Sequence, residues 1–211
     1  MRKNFFVGIP IRREYSVHWF PKWNQFHKKV RLVHPEDLHV TVAFLGKELG
    51  ETSLRSICEY LDKMNAFVEP HYFTLTKPIL LPNTRQPTAI GYEIGENLQL
   101  LQTLIMQHRA QFTKLANIRS DRRTPLPHLT IARPPSLINK NYAECLQSIQ
   151  QWYENKDGTT FIPGEEYRIR LDEIALYTWA DGYPNRTNPS ACNFKIIHRK
   201  KLISETLQFL N

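Results

Sequence analysis

Apolar and polar positions alternate along the chain in short runs, and the period of each run predicts its element. "NFFVGIPI" reads as a first strand, and Arg12 to Lys29 as an amphipathic helix that Pro21 begins or kinks. In "DLHVTVAFLG" the alternation sets Leu38, Val40, Val42 and Phe44 on one face and His39, Thr41 and Ala43 on the other, with Gly46 closing the strand. The next stretch, "ETSLRSICEYLDKMNAF", switches to the helical period through Leu54, Ile57, Leu61 and Met64, with Thr52 or Ser53 as its N-cap and Pro70 ending it. Strands are expected over 71–80 and 87–94, joined through the turn residues "LPNTRQP".

The second half repeats this order: a helix from Asn97 to Leu115, a basic loop, the strand "PHLTIAR", a helix from Leu137 to Tyr153, then strands near 166–178 and 191–198. Helices and strands alternate, yet the connections within the strand pairs at 71–94 and 166–198 are short. That favours antiparallel pairing over a doubly wound sheet. The expected fold class is α+β: one bilobal domain over 1–211 with two pseudo-symmetric lobes at about 1–95 and 96–211. Exchange of strands between the lobes is allowed. Each lobe is expected to be an antiparallel sheet with helices packed outside, and the active-site cleft is expected between them.

Composition narrows the class further. A chain of 211 residues with 41% hydrophobic content can bury a proper core. It has no run near the roughly 20 apolar residues of a membrane helix, and its start lacks the features of a signal peptide. A cytoplasmic protein with no membrane partner, acting as a monomer, is expected. Cys58, Cys145 and Cys192 are odd in number and show no CxxC or Cys/His ligand spacing, which argues for buried free thiols over disulfides or a zinc site. Lys and Arg outnumber Asp and Glu 28 to 20, and this net +8 favours a polyanionic partner such as nucleic acid.

Two stretches carry chemistry. "HVTVA" starts at His39 and "HLTIA" at His128, so the string His, apolar, Thr, apolar, Ala occurs once in each half. A bare His-x-Thr is weak, since 8 histidines and 15 threonines predict roughly 0.6 copies by chance. The five-residue string is expected on the order of 0.005 times, so two copies are not composition noise. A solvated strand face has no reason to repeat His, Thr and Ala at the same offsets. Alanine on that face leaves room for a ligand.

These residues resemble the two motifs of the 2H phosphoesterase superfamily, and most closely its RNA 2′,3′-cyclic phosphodiesterase (2′-5′ RNA ligase-like) branch. "LHVTVAFLG" and "PHLTIAR" match the branch's motifs almost throughout. The resemblance extends to "FFVGIPI", to Pro35 and Glu36 before the first motif, and to the late segment "ALYTWADGYP", where Tyr177 or Thr178 stands at a position the family usually gives to Ser and Tyr183 follows at a shorter spacing. It implies a bilobal sheet fold with both motifs lining one cleft, and no metal or other cofactor. The expected substrates are RNA ends or cyclic nucleotides.

The residues support that chemistry. Hydrolysis of a cyclic phosphodiester needs one group to deprotonate water and another to protonate the departing ribose oxygen, and histidine titrates nearest neutrality. Thr41 and Thr130 lie two residues on, on the same faces, where hydroxyls can stabilise the non-bridging oxygens. The resemblance assigns His39 as general acid and His128 as general base; the residues alone do not order them. Arg133 ends the second motif with a guanidinium suited to phosphate, but alternation puts it on the face opposite His128, so it contributes only if the strand twists or bulges. Arg85 matches a basic position of the family. Phe44 is read as core. His18, His27, His34, His108 and His198 are read as solvated or capping, and His71 sits at a strand start with no partner motif. The competing functions are 2′-5′ RNA ligation, hydrolysis of a small cyclic nucleotide, and a non-catalytic RNA-binding module.

Overall fold

The computed structural model describes residues 4–16, 25–65, 67–69, 71–157, 168–180 and 192–203. The expectations for Pro21, His18, Pro70 and Tyr183 fall outside these residues. Among the described residues nine strands form: β1 (Phe5–Pro10), β2 (Arg31–Leu32), β3 (His39–Gly46), β4 (Tyr72–Leu81), β5 (Ala89–Ile94), β6 (His128–Arg133), β7 (Arg168–Arg170), β8 (Glu173–Trp179) and β9 (Phe194–Lys201). Helical-period segments form α2 (Glu51–Lys63), α3 (Leu98–Leu115) and α4 (Tyr142–Asp157).

Three expectations need correction. Of the helix expected from Arg12 to Lys29, residues 17–24 lie outside the described residues; the remainder shows a single turn, α1 (Arg13–Ser16), and residues 26–29 are not helical. Phe26 is buried in the core from this non-helical stretch. Helix α2 is capped at Gly50 and not at Thr52 or Ser53, so its first turn begins at Glu51, whose carboxylate suits the positive helix end. The single strand expected near 166–178 is divided into β7 and β8, which sit in different parts of the sheet.

All pairings between these named strands are antiparallel and form one curled sheet in the order β7-β4-β5-β6-β3-β1-β8-β9, with β2 beside β6. The order has an internal symmetry about the β6–β3 contact. β3 and β6, the histidine strands, are central neighbours, each followed in the chain by a helix (α2 and α4). Their outer neighbours β1 and β5 are likewise followed by α1 and α3. The main core lies between the helices and one sheet face. It contains Val40, Val42 and Leu45 of β3, Leu129 and Ile131 of β6, Leu101, Ile105 and Phe112 of α3, and Ile149 and Trp152 of α4. The opposite face carries the two histidines and a smaller cluster of Phe6, Ala175 and Tyr177.

Candidate active site

The site is built by one point of register. Val40 pairs with Leu129 across β3 and β6. Continuing that register one residue either way sets His39 opposite Thr130 and Thr41 opposite His128. Val40 and Leu129 are fully buried toward the helices, so alternation turns all four polar side chains to the other face. The histidines then occupy one diagonal of a four-residue square and the threonines the other.

Both rings are held in the same way. His39 Nδ1 donates to the carbonyl of Asp37 at 2.6 Å, and His128 Nδ1 donates to the carbonyl of Leu126 at 2.8 Å. A carbonyl can only accept, so in each neutral ring the proton sits on Nδ1 and Nε2 keeps its lone pair for the open face. His39 packs against an aromatic wall, with Phe6 at 4.5 Å between ring centroids, Tyr177 at 5.4 Å and Phe194 edge-on at 5.6 Å. Phe6 and Tyr177 are themselves stacked at 4.7 Å.

Burial dominates the electrostatics. It pushes His39 down to about 4, outweighing the Asp37 carbonyl bond, while Arg133 and His128 push in the same downward direction. His128 is lowered too, first by burial and then by Arg133. Both rings are therefore neutral at pH 7 in the free protein. Because the unfolded chain protonates first, near 6.5, stability should fall as pH drops from about 6.5 toward 4 and be fully present above that window. Urea midpoints measured at pH 7 and pH 5 should differ by less in His39→Gln than in the parent protein. An unchanged difference would contradict this assignment.

Strict alternation fails just past each threonine, for the same reason in both strands. In the β1–β3 pair, Gly8 faces Thr41 while Val7 faces Ala43, so Val42 is an extra residue. In the β5–β6 pair, Gly91 faces Thr130 while Ile90 faces Ala132, so Ile131 is an extra residue. Each bulge puts two consecutive side chains into the core and returns the next to the histidine face. Ala43 and Ala132 are 1% and 0% exposed, and thus are core residues and not the open floor expected for a ligand. Phe44, expected in the core, is 52% exposed on the histidine side. Arg133 is its counterpart in β6, exposed and close enough to depress both histidines. The two glycines permit the close strand approach at these points: a Cβ on Gly91 would collide with the Leu129 carbonyl, and one on Gly8 would press the Val40 carbonyl at 3.1 Å and the His39 ring at 3.3 Å.

Some site residues carried no local signal. Asp37 is 1% exposed. Its carboxylate accepts from the backbone N–H of Asn193 at 2.6 Å and of Phe194 at 3.1 Å, tying the start of β9 to the turn before His39 and seating Phe194 against the ring. Phe6 and Phe194 reach His39 only through strand pairing. Arg85 lies exposed in the β4–β5 loop, where its N–H donates to Asn83 Oδ1; no described contact joins it to the histidines. His34 accepts from Glu36 N as the cap of a 3-10 turn, His108 bonds Tyr60, and His198 pairs with Asp62.

A curled antiparallel sheet with helices behind it and a paired histidine–threonine face in front defines an α+β protein with a two-histidine site. Comparison with known proteins is specific. Residues 22–91 match the family model "LigT like Phosphoesterase". It is 25% identical over 144 residues to the RNA 2′,3′-cyclic phosphodiesterase of Bacillus subtilis, covering 63% of this chain and 72% of that protein. Among solved structures, E. coli LigT complexed with 3′-AMP superposes with a TM-score of 0.66 at 18% identity, covering 97% of this chain and 100% of that one. A further crystal structure of a phosphoesterase gives 0.64, again at 18% identity and with the same coverage. At these identities the superpositions establish the fold. No described helix is long and apolar enough to cross a membrane.

Proposed function

We propose that this protein hydrolyses RNA 2′,3′-cyclic phosphate ends to 2′-phosphomonoesters, with His39 and His128 as its proton-transfer pair. The observation that carries the reading is the Val40–Leu129 pairing, whose register, continued one residue either way, puts the histidines on one diagonal and the threonines on the other. Diagonal neighbours across antiparallel strands stand roughly 7–8 Å apart, enough for a phosphorus between two Nε2 atoms, with in-line entry and departure on opposite sides. The matched relative named an RNA 2′,3′-cyclic phosphodiesterase and the LigT structure holding 3′-AMP support the same substrate class.

The reaction balances with these groups. His128 takes a proton from water as the oxygen attacks phosphorus, the bond from phosphorus to O3′ breaks, and His39 gives its proton to O3′. The order follows the family resemblance. Both rings are neutral without substrate, so one must gain a proton as the substrate binds. An arriving phosphodiester anion favours that charged form and opposes the effect of Arg133. Thr41 and Thr130 donate to the non-bridging oxygens, Arg133 neutralises charge from the end of β6, and Phe44 offers a face on which a base stacks. A cavity of about 410 Å³ is bordered by Tyr177 and Phe194, which pack on His39, by Arg12, Arg13 and Arg199, and by Glu36 and Glu173; its arginines and aromatic rings offer contacts to the preceding nucleotides.

Incubating the protein with an RNA ending in a 2′,3′-cyclic phosphate and mapping the product end tests the proposal. A 2′-phosphate supports it, an intact ring overturns it, and a new 2′-5′ linkage would assign the ligase direction. Thr41→Val and Thr130→Val each remove one hydroxyl donor at nearly constant shape and should each cost about 1–3 kcal/mol of transition-state stabilisation, seen in kcat more than in KM. Wild-type turnover in both variants would make the threonines structural. For RNA of several nucleotides, apparent affinity should weaken with salt on a log–log line of roughly 0.7 per contacted phosphate. A cyclic mononucleotide should give a much shallower line. Equal slopes would shift the substrate to a small nucleotide.

A further inference from the structure

Outside the histidine square, two clusters each combine a histidine, a glutamate and a cysteine. In the first, Cys145 Sγ lies 3.2 Å from His27 Nδ1, and Glu144 lies 3.2 Å from Nε2 of the same ring. The thiol and the carboxylate therefore bind opposite nitrogens of one imidazole, so no single ion can reach all three, and Cys145 is fully buried. That cluster is a packing arrangement.

The second cluster converges. Cys192 Sγ lies 3.2 Å from His34 Nδ1 and 3.4 Å from Glu36 Oε2, and the three donor atoms all lie within 4.8 Å of one another. Zinc takes thiolate sulfur at about 2.3 Å and nitrogen or oxygen at about 2.0–2.2 Å, so the edges of a tetrahedral site measure roughly 3.3–3.6 Å. Two edges of this triangle are already close to that length. Their present partners are replaceable: the Cys192 S–H shares its proton between His34 and Glu36, and the Glu36 N–H reaches His34 Nδ1 only at 3.3 Å.

We propose that His34, Glu36 and Cys192 form a zinc site, with Nδ1, Oε2 and Sγ as three ligands and the fourth position open to the adjoining cavity. A thiolate, an imidazole and a carboxylate together favour zinc over magnesium or calcium, which select oxygen donors. Glu36 and Cys192 both border the 410 Å³ cavity, so a water has access to the remaining position. The donors are gathered before the metal arrives. His34 is placed as the cap of the 3-10 turn Pro35–Asp37, and Cys192 is placed by the next residue, whose N–H bonds Asp37. Binding releases the thiol proton to solvent and leaves the metal as a clip between the start of β9 and the turn that leads into His39. The ion takes no part in the proton transfers proposed above, so this site stands or falls separately from the reaction. The cysteine spacing that argued against zinc could not report it, because Cys192 and His34 are 158 positions apart.

The test uses the full chain, freed of metal and titrated with Co²⁺ as a spectroscopic stand-in for Zn²⁺. One equivalent should produce a thiolate-to-cobalt charge-transfer band together with the intense visible bands of tetrahedral cobalt. Both should be lost in Cys192→Ser and in His34→Gln, and retained in Cys58→Ser and Cys145→Ser. In the unmutated protein, Zn²⁺ should slow alkylation of Cys192, located by mass spectrometry, which keeps the test decisive if a variant fails to fold. A parent protein without the charge-transfer band, a band that survives in Cys192→Ser, or alkylation of Cys192 unaffected by Zn²⁺ would overturn the proposal. A band lost only in Cys145→Ser would do so as well, moving the metal to the other cluster.

Discussion

Alanine at His39 or at His128 is expected to lower hydrolysis of an RNA 2′,3′-cyclic phosphate by about 10²- to 10⁴-fold or more while the protein stays folded. Each substitution removes a proton-transfer group from the open face and leaves the core side of its strand, Val40 or Leu129, in place. The two rings act in one displacement, so the double variant should be little worse than the worse single one. The pair also separates the roles. A substrate with a good leaving group in place of the ribose O3′ needs no general acid, so it should rescue the variant lacking the acid and not the one lacking the base. Single variants that turn over like the parent would end the two-histidine mechanism.

The second large effect is on stability. Asp37→Ala should destabilise the fold by about 3 kcal/mol, measured by urea unfolding, because it strips a buried carboxylate from two backbone N–H groups with no other described acceptor. Burial raises the Asp37 pKa, while the bonds from Asn193 and Phe194 oppose that rise. Those bonds therefore recover only part of the cost of burying the charge. Asp37→Asn keeps an acceptor oxygen without the charge and should lose less than Asp37→Ala. Loosening the start of β9 also frees Phe194 from the His39 ring, so activity should fall in both variants even under conditions where they are fully folded. Equal stability of Asp37→Ala and the parent would mean that water replaces the carboxylate at no cost.

Much of the architecture was legible because alternation and helical period are local properties. Helix α3 was expected over 97–115 and spans Leu98–Leu115, and β4, β5 and β6 fall within two residues of the expected strands. A periodic segment that must bury one face has few alternatives. Of the amphipathic helix read over 12–29, the described residues show one turn at Arg13–Ser16, and Phe26 lies outside it in the tertiary core. The break between β7 and β8 was invisible for a related reason. Only Leu171 and Asp172 separate them, with no Gly or Pro to mark a turn, but β7 pairs with β4 and β8 with β1, toward opposite ends of the sheet.

The two histidines and their threonines were legible as a repeated string, since the same chemistry was written twice in residues that composition alone would not repeat. The chain by itself thus determined which side chains face away from the core at positions 39, 41, 128 and 130. Tertiary structure decided everything that depends on pairing between distant segments: the Val40–Leu129 register that makes two motifs one square, and the bulges opposite Gly8 and Gly91 that bury Ala43 and Ala132 and bring Phe44 and Arg133 to the open face. It also decided the Asp37 bonds to residues 193 and 194, and the meeting of Cys192 with His34 and Glu36. The physical reason is the same in each case: a one-residue slip in register exchanges the two faces of a strand, and register is set by the partner strand and not by the strand's own letters.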